Sequence, residues 1–374
     1  MRTFVADGNF KAIHLKQKDD ESDVWLTSGE GFMTNESRYQ MHLETALETK
    51  SVGIPLPLHN LFTLIDVETL TCHRYRAQLN SEVAHNSADC SGVGGHACAR
   101  HGCFAPGSLV NFQKGERQMN MDWSLCEALA TTNIGRIGHV LHIYDINCEY
   151  WKKLLERIEK NHMLSVEDHI MLIHAIGLFH IHGHKNDCLY RWATNYVPGA
   201  GVVDGEVLET LWSVLNTVSA ATRTASLAHR TEILDDHMND SNWKKMSHIG
   251  NHIIRSHFSL HFANDQTTVQ AIIKRYKRAL DNLAEARSAF ERLNETAPPD
   301  YVDVWDASIQ EAESKRYLNP SSMDVMKSKI NTGQTLKAIT VDILREETQA
   351  QRVAPDNGSS TDWILEGLKL EDEQ

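Results

Sequence analysis

The sequence predicts an α/β fold, and three observations carry that prediction. The apolar run "HVLHIY" stops at a carboxylate, Asp145, and gives way at once to a helical pattern in "CEYWKKLLERI". Helix, strand and helix patterns alternate over residues 123–218. From residue 219 the chain reads mainly as helix.

Taken in order, residues 1–70 read as β-rich, with "TFVADGNFKAIHLK" and "LHNLFTLIDVETLT" strand-like and Gly and Asn between them. Residues 72–122 are irregular and Gly-rich and hold Cys72, His73, Cys90, His96, Cys98, His101 and Cys103, which predicts a Cys/His-rich excursion from the sheet. Val140, Leu141, Ile143 and Tyr144 read as a short buried strand. Trp151, Leu154, Leu155 and Ile158 then fall at i, i+3, i+4 and i+7, the stripe of a helix. In "DGEVLETLWSVLN" the apolar face is Leu208, Leu211, Trp212 and Leu215. From Val269, Ile272, Ile273, Tyr276, Leu280, Leu283 and Phe290 keep the helical period, and "TAPPD" ends that helix. "APDNGSSTD" reads as a linker. The expected division is a core over 1–218, a helical region over 219–354, and a linker with an acidic tail over 355–374.

Composition bounds the function. At 41% hydrophobic and 23% charged residues the chain is an ordinary globular protein with enough length for a real core. It has no run of 18 apolar residues, and "MRTFVADGNF" is not a basic-then-apolar leader, so a soluble protein inside the cell is expected. Seven cysteines are too sparse for a disulfide scaffold and suit thiols or metal ligands. The net charge of -13 works against a nucleic-acid partner, since phosphate binding needs a basic surface. Part of that charge is local: Arg345 to Gln374 holds eight acidic and three basic residues.

Three carboxylates draw attention. Asp7 lies late in the first strand, before Gly-Asn, and Asp145 ends a second strand, where open α/β sheets place ligands. The same Asp145 would also serve as a helix N-cap. On a helical wheel Glu209 borders the apolar stripe, while Glu206 points away from it, so Glu209 is preferred as the third acid. Such a set suits two divalent cations, Mg²⁺ or Mn²⁺, clamping a phosphodiester. In "GLFHIHGHKNDCLYRW", His180, His184 and Cys188 step by four and would share one helix face, a zinc arrangement, although His182 and Gly183 interrupt it. His96, Cys98, His101 and Cys103, with Cys72 and His73 upstream, are dense enough for Zn²⁺ but match no standard finger. Lys274, Arg275, Lys277 and Arg278 form a basic run that reads as a solvated helix face.

"FVADGNFKA", "ACARHGCF", "QKGERQMNMD", "YDINCEYW", "FHIHGHKNDCLYRW", "GAGVVDGEVLETLWSVLN" and "HRTEILDDHMNDSNW" occur in the order found in KDZ (Kyakuja–Dileera–Zisupton) transposases of mushroom-forming fungi, and the chain resembles that family over residues 1–245. The resemblance implies a ribonuclease-H-like fold with a DDE triad: Asp7, Asp145 and, within "GEVLETLWS", Glu209, with Glu206 as alternative. It implies metal-dependent cleavage and strand transfer of transposon DNA in the nucleus, and leaves self-association into a homo-oligomer open. Thr210 stands where the family has an Arg after the catalytic Glu. Members carry an N-terminal extension, often with a CxC2 cysteine cluster, so a truncated chain is expected. The competing expectation is an inactive, zinc-stabilised remnant that binds DNA or protein.

Overall fold

The computed structural model describes residues 1–17, 23–46, 88–135, 137–201, 203–248, 265–316 and 318–327. The strand-like "LHNLFTLIDVETLT", Cys72 and His73 lie outside them. Strand β1 (Arg2–Asn9) is the middle of a five-stranded sheet. A two-stranded pair, β2 (His14–Leu15) with β3 (Ala88–Cys90), stands apart from it. On one side β4 (Gly92–Cys98) runs antiparallel to β1, with β5 (Val110–Phe112) antiparallel beyond it. On the other side β6 (His139–Tyr144) runs parallel to β1, with β7 (Met171–Ala175) parallel beyond that.

Of the expected excursion over 72–122, residues 72–87 lie outside the described residues, and this topology corrects the expectation for the β4 residues. From Phe4↔Cys98 to Asn9↔Val93, β4 pairs with β1 along nearly its whole length, so these residues are sheet rather than insertion. Glycines hide the strand signal, because they lack the side chains that sheets normally display. Here the missing side chain is needed: a Cβ on Gly94 would stand 2.2 Å from Cζ of Phe112.

Alternation sorts the strands onto two cores. Phe4, Ala6, Val140 and Tyr144 pack on one face with Trp123, Leu125 and Leu129 of α2 (Gln118–Thr131). Against α2 lies α1 (Glu36–Thr45), capped by the Asn35 side chain and burying Tyr39 and His42. Val5, Val93 and Ala97 face the other way, beneath Leu208, Leu211, Trp212 and Leu215. Those four are the predicted stripe, on a helix spanning Val207–Thr222. After β6 come α3 (Asn147–Tyr150), a 3-10 turn and α4 (Leu154–Lys160). After β7 come α5 (Leu178–Ile181) and α6 (Asn186–Trp192), then the Val207–Thr222 helix, α7, and α8 (Leu227–Ser247).

Leu234 and Met238 of α8 join the same cluster as Val5 and Trp212, so the helical region starts by packing on the sheet rather than apart from it. Met1–Met326 form one unit. Helix α9 (Asp265–Glu295) ends just before "APP", as its sequence predicts, and α10 (Pro299–Lys315) follows. The stripe of α9 is present but not buried: Tyr276, Leu283 and Phe290 are exposed. Its period foretells a helix, and says nothing of what covers it. Among the described residues no helix is long and apolar enough to cross a membrane.

Candidate functional site

β1 and β6 are adjacent and parallel, and their register pairs Ala6 with Tyr144. Asp7 follows Ala6 on β1, and Asp145 follows Tyr144 just past the end of β6. Period two puts Asp7 on the face of Val5, and Asp145 on the face of Ile143, away from the α2 core. Both acids therefore emerge at the carboxyl ends of neighbouring strands, on the face covered by α7. There they line a small cavity with Gly177, His180, Leu208 and Glu209.

The sequence brings α7 to this edge by two side-chain bonds. Trp212 Nε1 donates to Asp7 Oδ2 at 2.8 Å, and one turn on, Asn216 Oδ1 accepts from Asn9 Nδ2 at 2.9 Å. Positions i and i+2 of the strand thus meet i and i+4 of the helix. Trp212 reads in sequence only as a core residue. The signal that it does more is its indole N–H, which needs an acceptor once buried.

Charge is crowded here. Burial raises the Asp7 carboxyl to about 7, helped by the neighbouring charges of Asp145 and Glu209 and resisted by the hydrogen bonds from Gly8 and Trp212. A fourth acid that sequence reasoning missed, Glu116, lies beneath the strand end on the opposite face. Its carboxylate accepts the Tyr144 hydroxyl and rests where a side chain on Gly8 would be, 2.6 Å from that Cβ position. Burial, then Asp145 and Asp7, push its carboxyl far up. A buried polar residue in "QKGERQ" carries no periodic signal, so only the packing exposes its place.

The preference for Glu209 over Glu206 needs correction in its geometry. Glu206 is not in the helix; it precedes Val207 with φ -89° and ψ 10°, so a helical wheel does not apply to it. Its carboxylate turns inward to His180 Nε2 at 3.2 Å, and Glu209 approaches the same nitrogen at 3.7 Å. Burial, then Glu209, raise the Glu206 carboxyl to about 7, with a further contribution from Asp145. The side chain of Glu209 is 57% exposed against 21% for Glu206. One oxygen or nitrogen from each of His180, Glu206 and Glu209 lies within 4.8 Å of the others.

Gly177 and Gly205 hold this arrangement close. A Cβ on Gly177 would lie 2.3 Å from the Asp204 carbonyl, and Gly205 has φ +90°, a left-handed conformation that side chains resist. Their contact sets α5, with His180, beside the turn that carries Glu206.

The expected zinc groups come out differently. The continuous helix through His180, His184 and Cys188 is two short helices, α5 and α6, because His182 to Lys185 leave the helical path. His180 joins the acids, while His184 and Cys188 converge with Cys148 instead. His96 is not a ligand candidate. Its Nδ1 meets Ser124 Oγ at 2.7 Å and its Nε2 meets His142 Nε2 at 3.1 Å, and burial lowers its pKa to about 3. Cys98 Sγ meets His101 Nδ1 at 3.5 Å, and Cys103 Sγ meets the His101 carbonyl at 3.9 Å. These three form no group of converging ligands among the described residues. Cys90 groups with His14 and Asp89, yet both His14 nitrogens are used: Nδ1 on Asp89 at 2.5 Å and Nε2 on the Ala225 carbonyl at 2.7 Å. With a partner at each nitrogen, His14 leaves neither free for a metal.

No curated protein and no solved structure matches the chain. A family model does match, that of the Kyakuja-Dileera-Zisupton transposase, over residues 1–242. The match spans β1, β6 and α7, and so all the acids that meet at the sheet edge; the chain belongs to the KDZ transposase family.

Proposed function

We propose that the chain is a DDE-type transposase with a ribonuclease-H-like core, which cleaves transposon DNA and transfers its strands in the nucleus. Asp7, Asp145 and Glu209 are the triad, with Glu206 the alternative third acid. The single observation that carries this reading is the adjacency of Asp7 and Asp145 at parallel strand ends under the helix bearing Glu209. The mixed sheet, with the first acid on its middle strand, supports the fold named.

The donor set fits Mg²⁺ or Mn²⁺. Its strand-end donors are carboxylate oxygens, which suit hard cations, and burial first and then neighbouring carboxylates raise Asp7 and Glu206 to about 7. When bound, divalent cations lower the pKa of the attacking water or 3′-hydroxyl and offset charge on the phosphodiester. The chain's own residues orient the acids. Trp212 fixes the Asp7 carboxylate by its N–H, and His180 brackets Glu206 and Glu209 from one side.

The test is nicking of labelled transposon-end DNA with Mg²⁺ or Mn²⁺. Cleavage by the wild type, lost by at least about 100-fold in Asp145→Asn and in Asp7→Asn, is expected from removing a metal-holding carboxylate. Cleavage unchanged in both variants would overturn the assignment. Comparing Glu209→Gln with Glu206→Gln in the same assay decides the third acid.

A further inference from the structure

The segment after Asp145 and the segment after His180 meet on the far side of α3, and they meet through sulfur and imidazole. Cys148 lies on α3, three residues past Asp145, while His184 and Cys188 lie four and eight residues past His180, in the α5–α6 turn and on α6. All three are buried. Their ligand atoms lie within 4.8 Å of one another, and Cys148 Sγ stands 3.6 Å from His184 Nδ1. A tetrahedral zinc with bonds of about 2.3 Å to sulfur and about 2.05 Å to nitrogen sets an S···N edge of about 3.6 Å. The observed pair has that spacing. A thiol hydrogen bond would account for Cys148 and His184 alone. The ligand atom of the second thiol, Cys188, converges on the same point.

We infer that Cys148, His184 and Cys188 hold a Zn²⁺ ion, at a site separate from the acidic site. Two soft thiolates with one imidazole select Zn²⁺ over the hard cations that the acids suit. Binding displaces the two thiol protons, and the neutral imidazole gives its Nδ1 lone pair. Three protein ligands leave one tetrahedral corner for water. The ion ties together α3 and α6, whose Cys148, Cys188 and Trp192 share one apolar cluster with Ile176 and Ile181. Because α3 begins two residues after Asp145 and α5 carries His180, the tie braces the acidic site from behind without touching substrate. The sequence hides this set: Cys148 is 36 residues from its partner His184.

The experiment uses the full chain, purified without chelator and gel-filtered. Metal analysis is expected to find about one zinc per chain, falling several-fold in Cys148→Ser and in Cys188→Ser, with a Cys98→Ser/Cys103→Ser double variant keeping its zinc. Should the single variants fail to fold, wild-type protein stripped and reloaded with Co²⁺ still decides: a thiolate-to-cobalt charge-transfer absorption is expected, at an intensity for two thiolates. Wild type holding under about half an equivalent of zinc and showing no cobalt–thiolate absorption would overturn the site. So would zinc lost from the Cys98/Cys103 variant but kept by Cys148→Ser. Neither readout involves DNA cleavage or Asp7, so loss of the zinc site and loss of the transposase reading are told apart.

Discussion

A single methyl group at Gly177 is enough to test the acidic site. Its Cβ would meet the Asp204 carbonyl at 2.3 Å and Gly205 Cα at 2.9 Å, backbone on both counts, so the α5 start and the Asp204–Glu206 turn must move apart. Overpacking of this kind costs about 1–3 kcal/mol. Gly177→Ala is therefore expected to keep its fold, lower its melting temperature, and lose DNA nicking by more than its stability loss explains, because His180 and Glu206 ride on the two parts that separate. Circular dichroism melts beside the nicking assay check this. Equal nicking at a temperature where both proteins are folded would show that the approach of these glycines does not set the site.

At the scale of elements, one buried ion pair carries the packing of α4 on α2. Arg157 Nε donates to Asp122 Oδ2 at 2.5 Å and Nη2 donates to Oδ1 at 2.8 Å, with Asp122 almost wholly buried. Burial alone would raise the Asp122 carboxyl, and the guanidinium opposes that rise. Replacing Arg157 with Ala leaves an uncompensated acid in the core, which costs about 3–5 kcal/mol. Replacing both residues with apolar ones of similar size is expected to recover most of that loss. Urea unfolding of Arg157→Ala and of Arg157→Met/Asp122→Leu makes the comparison. A single variant within about 1 kcal/mol of wild type would show the pair to be incidental.

For the whole molecule, two opposing sets of buried groups shape the dependence of stability on pH. Burial depresses His96 to about 3 and His174 to about 4, and it lowers His142 as well. Groups whose folded pKa is depressed take up protons first in the unfolded chain, so their contribution is lost as pH falls below about 6.5. The acids act in the other direction. Burial, foremost, raises Asp7 and Glu206 to about 7 and lifts Glu116 well above the usual carboxylate range, so the folded chain keeps protons that the unfolded chain has released. Their ionisation costs stability progressively as pH rises from the unfolded value through the folded one. Below about 6.5 the two sets oppose each other, and above it only the acids act. The metal-free protein is therefore expected to melt lower at pH 8 than at pH 6.5. Millimolar Mn²⁺ is expected to narrow the difference in wild type, and Asp7→Asn is expected to narrow it without metal. Melting curves at both pH values, with and without Mn²⁺, are the measurement. A wild type that melts higher at pH 8 without metal would mean the acids are not crowded.

Much of this was legible in the residues alone. The stop of an apolar strand at Asp145, the "ADGN" strand end and the stripe of Leu208, Leu211, Trp212 and Leu215 are local patterns, written in periods of two and of 3.6. They determined the elements, and the motif order determined the resemblance. Packing decided the rest. Whether Gly94 belongs to a loop or a strand depends on Phe112, a residue 18 positions away that needs the space. Whether Glu206 faces water depends on where the helix begins and on His180 across a turn. Glu116 joins the acids, and Cys148 joins His184 and Cys188, through contacts that leave no periodic trace. Periodicity records which face of an element is apolar. Tertiary structure decides which residues from separate elements meet there, because convergence is a property of distance in space and not of spacing along the chain.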